Sequence, residues 1–118
     1  MTKGIKTIKE ILLTDVDINP ETLTRQSLVA LLKGRPETWQ AKIKKANKTQ
    51  YEYLTELMNS MKSIGLINPI GVRQIDVPEE LLKEDGREGI YFMIFGLRRF
   101  LAAYFLGWKK IKAAILNE

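Results

Sequence analysis

Apolar positions along the chain recur with two periods, and the switches between those periods mark out the elements. Residues 5–18, IKTIKEILLTDVDI, alternate apolar and polar residues over short steps, and Asn19-Pro20 closes the stretch. This pattern predicts a strand near Lys6–Leu13 followed by an extended segment. Ser27, then LVALLK, then Gly34 give the start and stop signals of a short helix. Pro36 suits a first helical turn and Glu37 suits the positive end of the dipole, so a further helix is expected from about Pro36 to Ala46. Thr49-Gln50-Tyr51-Glu52 has capping-box spacing and predicts a fresh helix start. Leu54, Leu57, Met58 and Met61 then recur at steps of three and four, forming one apolar stripe that ends at Gly65.

Beyond Asn68-Pro69, IGVRQI reads as a short strand with Ile70 and Val72 on one face and Gly71 and Arg73 on the other. VPEELLKEDGREG, residues 77–89, is polar and rich in turn formers; it is expected to be an exposed connection with a helical turn at Glu79–Lys83. Tyr91–Phe95 is apolar on both faces, which predicts a strand placed centrally in its sheet. The following helix carries Phe100, Leu101, Tyr104 and Phe105 on its core side and stops at Gly107, with Trp108 folding back on it. Residues 111–116 predict a last strand. The order is strand, helices, strand, strand, helix, strand, which is a mixed α/β class: a small sheet of about four strands with helices packed against it. With 118 residues, 45% of them hydrophobic, residues 1–118 are expected to form a single domain.

Composition removes several chemistries. There is no cysteine and no histidine, so neither a disulfide framework, a Ser–His or Cys–His nucleophile pair, nor a histidine-ligated zinc site can be built. No apolar run approaches the roughly 18–20 residues that span a bilayer, and the first residues lack the apolar core of a signal peptide; the expected setting is cytoplasmic. A net charge of +5 tilts the chain towards an anionic partner.

The segment with the most chemistry is YFMIFGLRRFLAAYFL, Tyr91 to Leu106, where a strand pattern passes through Gly96 straight into a helix pattern. The first helical turn exposes amides with no intrahelical partner and carries the positive end of the dipole. Gly96 permits close approach of backbone to a ligand, and Arg98 and Arg99 add guanidinium groups suited to phosphate oxygens. The reading is an anion site for nucleotide or nucleic-acid phosphate; the alternative is a pair of solvated surface charges. A second basic feature is Lys42, Lys44, Lys45 and Lys48 between Trp39 and Tyr51. It reads either as a grip on nucleic-acid backbone, with aromatics available for stacking, or as a solvated helix face.

Two blocks resemble the N-terminal domain of the ParB family, within the ParB/sulfiredoxin superfamily: LMNSMKSIGLINPIGVR, Leu57 to Arg73, and FGLRRFLAAYFLGWKKIKAAI, Phe95 to Ile115. The opening strand with Asn19-Pro20 is a looser third match. The resemblance implies a CTP site between the blocks. Gly65, Ile67, Asn68, Pro69 and Ile70 would frame base and ribose, while Arg73, Gly96, Arg98 and Arg99 would face the phosphates, with Mg²⁺ as a companion ion. It further implies a role in DNA partition during plasmid or chromosome segregation, with self-association, DNA and a ParA-type ATPase as partners.

Departures from the family pattern limit what carries over. Leu97 stands where the family has an acidic residue, leaving at most slow CTP hydrolysis. The Asn-containing motif beyond the last strand and the helix-turn-helix domain have no counterpart, so the chain is expected to be a fragment or a short relative. Sulfiredoxin chemistry needs a cysteine and is excluded. The competing class is a nucleotide-dependent enzyme, either a weak nuclease or a small-molecule kinase, in which Asp15, Asp17 and Glu21 are the candidate carboxylates. Those three are equally readable as caps and turn formers. A third option is an adaptor whose arginines form salt bridges.

Overall fold

The computed structural model describes residues 5–18, 30–32, 34–65 and 68–116. Strand β1, Ile5–Leu12, leads through a 3₁₀ turn at Leu13–Asp15 to the two-residue strand β2, Val16–Asp17. After a 3₁₀ turn at Pro36–Thr38 come helices α1, Trp39–Ala46, and α2, Lys48–Ile64. Then follow β3 (Ile70–Ile75), α3 (Glu79–Glu84), β4 (Ile90–Phe95), α4 (Leu97–Phe105) and β5 (Lys110–Leu116). The five strands form one mixed sheet in the order β1-β5-β3-β4-β2. Its pairs are antiparallel for β1/β5 and β3/β4 and parallel for β3/β5 and β2/β4.

The mixed α/β class is as the sequence implies, with one strand more than expected. The segment after β1 is not simply extended; its 3₁₀ turn carries the chain from one edge of the sheet to the other. Four Cα steps from Leu12 to Val16 reach at most about 15 Å, whereas the outer strands of a flat five-stranded sheet lie about 19 Å apart. The sheet must therefore curl at that end, where the Leu13 amide also donates to the Lys109 carbonyl at 3.0 Å. One sheet face, carrying Ile11, Ile70, Val72, Met93, Ile111, Ala113 and Ile115, is buried with Ile43, Leu54, Met61, Leu97, Phe100 and Leu101 from the helices.

Other expectations need correction. The stretch from Pro36 to Ala46 is a 3₁₀ turn and then a helix. Helix α2 is capped by Asn47 rather than by the Thr49 box: the Asn47 side chain accepts from the Gln50 amide at 3.1 Å. β4 is penultimate in the sheet. β2 covers it only opposite Tyr91 and Phe92, so Ile94 and Phe95 at its far end are exposed. Tyr104 and Phe105 are half-buried, Tyr104 against Trp39 with ring centroids 5.9 Å apart. α4 does end at Gly107, where the Gly107 amide bonds Tyr104 and the Trp108 amide bonds Ala103, both at 3.0 Å; the two bonds make a Schellman end that turns Trp108 back onto the core. The helix expected from Ser27 and the Asn19-Pro20 match lie largely outside the described residues.

Candidate functional site: the corner between β4 and α4

Gly96 is the N-cap of α4, with φ 96° and ψ 27°. This left-handed conformation is one that L side chains avoid. It has no side chain with which to cap the helix, and the first intrahelical bond runs from the Phe100 amide to the Gly96 carbonyl at 2.9 Å. The amides of Leu97, Arg98 and Arg99 precede that bond and point along the helix axis, as an anion site requires. A Cβ at Gly96 would stand 2.8 Å from Cγ2 of Ile70 and 3.1 Å from its Cα. The start of β3 therefore lies directly against the corner, and the two sequence blocks meet there.

The expected site residues separate into groups. Asn68, Pro69, Ile70, Gly96 and Arg99 come together: Arg99 Nη1 donates to the carbonyls of Asn68 at 2.9 Å and Pro69 at 2.7 Å. Ile70 is fully buried, backbone included, so it shapes the floor of the corner and presents no accessible atom to a ligand. Gly65 closes α2, its amide bonded to the Met61 carbonyl at 2.8 Å. Ile67 lies outside the described residues. Arg73, half-buried, sits two residues beyond Gly71 on the outer sheet face, opposite Phe92. Arg98 leans the other way, its guanidinium carbon 5.1 Å from the ring centroid of Tyr53 on α2. The arginines thus diverge from one turn. Burial lowers the pKa of Arg99 by desolvation.

Leu97 is buried, so a core side chain occupies the position where the resemblance expects a carboxylate. The other candidate carboxylates lie elsewhere. Asp15 is buried and accepts from the Glu88 amide at 3.2 Å, while Arg87 Nη2 donates to Asp17 at 2.9 Å and to the Thr14 carbonyl at 3.1 Å. Loss of hydration pushes the Asp15 carboxyl up, against the pull of the Glu88 and Gly89 amides and the Arg87 charge. Asp17 is aligned with Phe92, four residues short of Gly96 or roughly 13 Å along the strand. Glu21 is outside the described residues.

Lys42, Lys44, Lys45 and Lys48 are all exposed, on α1 and the first residue of α2. Lys44 lies over Tyr51 at 5.7 Å. Trp39, partly buried at the start of α1, packs against Tyr104 with ring centroids 5.9 Å apart. A groove of about 570 Å³ runs between Lys44, Lys48, Tyr51, Glu52, Thr55 and Glu56, and its lining mixes both signs of charge. Tyr53 and Phe95 were not singled out in the sequence. Tyr53 is 52% exposed and lies off the apolar stripe of α2, and an exposed off-stripe aromatic is a usable signal. Among the described residues, no helix is long and apolar enough to cross a membrane, and no group of three or more carboxylates could hold a metal ion.

Comparisons with known proteins bear on the fold and the family. The structure is similar to a C-terminally truncated chromosome-partitioning protein ParB from Caulobacter crescentus complexed with CTP-gamma-S, with a TM-score of 0.55 and 23% identity over 92% of this chain and 43% of that one. It is also similar to sulfiredoxin from Arabidopsis thaliana, with a TM-score of 0.53 and 21% identity over 92% and 83%. In sequence it is 41% identical over 64 residues to nucleoid occlusion proteins of Halalkalibacterium halodurans and Bacillus cytotoxicus; the match covers 54% of this chain and 18% of each relative. The chain thus spans about a fifth of the length of those relatives. The ParB N-terminal domain pattern matches residues 35–118, and the chain belongs to that family.

Proposed function

We propose that residues 1–118 form one nucleotide-binding module of a ParB-like partition protein, with the triphosphate of CTP held at the β4–α4 corner. The observation that carries this reading is the contact between the two blocks. Gly96, seated on Ile70, sets the first-turn amides of α4 beside Arg98, next to the backbone at 68–69 that would frame a base. The donors suit phosphate oxygens: amides at a helix N-terminus and a guanidinium in the same turn. With Leu97 buried the same set offers no protein ligand to Mg²⁺, so any such ion would be held through the phosphates and by groups elsewhere. Bound CTP would supply a polyanion that ties the two blocks together. Self-association, contact with a ParA-type ATPase and a cytoplasmic setting belong to the same proposal, as does non-specific contact with DNA through Lys42, Lys44, Lys45 and Lys48. The ParB of the same fold crystallised with CTP-gamma-S supports the choice of nucleotide.

The enzyme alternative finds less support, because Asp15 and Asp17 are engaged with Arg87 and the Glu88 amide away from the corner. Calorimetric titration with CTP, ATP and GTP, with and without Mg²⁺, separates the readings. Binding selective for CTP supports the proposal, ATP binding with phosphate transfer favours a kinase, and no binding favours an adaptor. Arg98→Ala is expected to weaken CTP binding by roughly 1.5–3 kcal/mol, the range for a charge-assisted hydrogen bond; unchanged affinity removes Arg98 from the site.

A further inference from the structure

Arg99 lies in the turn that would face phosphate, yet the backbone of the loop before β3 holds its side chain. Nη1 reaches the carbonyls of Asn68 and Pro69. The guanidinium carbon sits 5.8 Å from the Phe95 ring centroid, and the Phe95 ring lies against Gly71. The side chain therefore links the loop before β3, the last residue of β4 and the first turn of α4. Hydrogen bonds from a cation to carbonyls are strong and directional, so this link fixes where the 68–70 backbone stands relative to the helix amides. We propose that Arg99 is a positioning residue for nucleobase selection: it sets the 68–70 loop in register with the anion corner and does not itself grip phosphate. This inference rests on the nucleotide reading above.

The two possible roles of Arg99 separate cleanly. A phosphate ligand matters equally to every polyphosphate, whereas a residue that fixes the base loop matters only where bases are told apart. The test uses Arg99→Met, which keeps an aliphatic stem beside Phe95 and removes the donors, and Arg99→Lys, which keeps the charge without the planar fork. Affinities are measured for CTP, UTP, ATP, GTP and inorganic tripolyphosphate, and amide hydrogen exchange is followed at Asn68 and Ile70. In Arg99→Met the preference for CTP should fall about ten-fold or more while tripolyphosphate affinity stays within about two-fold, the first change corresponding to some 1.4 kcal/mol. Exchange at Asn68 and Ile70 should quicken. Arg99→Lys should lose part of the preference and none of the tripolyphosphate affinity, and it carries the test if the Met variant does not fold. Parallel loss of CTP and tripolyphosphate affinity, or an unchanged preference, overturns the role given to Arg99 and leaves the CTP site standing. A wild-type chain that binds none of the nucleotides overturns both.

Discussion

Replacing Gly96 by alanine probes the contact on which the site is built. Two costs combine there. A left-handed backbone costs an L residue about 1–2 kcal/mol. The new Cβ would also meet Ile70 Cγ2 at 2.8 Å, Cβ at 3.0 Å and Cα at 3.1 Å. The last of these is backbone at the start of a buried strand and yields little, so overpacking adds about 1–3 kcal/mol. Gly107 supplies the control: its φ is 81°, and an added Cβ there meets nothing within 4 Å. Gly107→Ala should therefore cost the backbone term alone, about 1–2 kcal/mol, and Gly96→Ala about 2–5 kcal/mol. At about 4 °C per kcal/mol for a domain of this size, melting should drop by about 4–8 °C and about 8–20 °C respectively. Urea and thermal unfolding followed by circular dichroism give both numbers. Losses equal within about 0.5 kcal/mol would mean that the two blocks do not press on each other at Gly96, and the close-contact reasoning would fail.

Further consequences are open to measurement. Asn47→Ala should lower stability by about 0.5–2 kcal/mol by uncapping α2, and Thr49→Ala should cost distinctly less; the reverse order would restore the capping box as the start signal. The raised Asp15 carboxyl means that the folded state holds its proton more tightly than the unfolded chain. Wild-type stability should therefore fall relative to Asp15→Asn as pH rises from about 4, the unfolded value, through the folded one, and then level off. A wild type that instead gains on the variant with rising pH would show that Arg87 outweighs burial. If the lysines on α1 and α2 touch DNA, Lys44→Ala combined with Lys45→Ala should flatten the salt dependence of non-specific binding by about two phosphate equivalents. An unchanged slope removes them.

Much of the architecture was legible because punctuation and periodicity agreed. The stripe of Leu54, Leu57, Met58 and Met61 with Gly65 behind it, and the passage through Gly96 into Leu97–Phe105, each state an element and its end. β2 was not legible, since two residues carry no period and their pairing with Tyr91 and Phe92 is set by a chain crossing that local pattern does not encode. The position of β4 was misread for a related reason. Its apolar outer face implies cover on both sides, but Ile94 and Phe95 extend beyond the partner strand and stay exposed. At the corner, Gly96 does precede the helix and Arg98 and Arg99 do fall in its first turn, as the pattern implies, but the pattern could not aim the side chains. The direction of Arg98 depends on Tyr53, 45 residues earlier on α2, and that of Arg99 on carbonyls some 30 residues away.

Nuclear magnetic resonance mapping of backbone amides during titration with CTP bears most directly on the nucleotide site. The amides of Leu97, Arg98 and Arg99 should shift first and furthest and saturate together with those of Asn68 and Ile70, while the lysine face of α1 stays still. Saturating shifts confined to α1, or none at the start of α4, would contradict a triphosphate seated at Gly96.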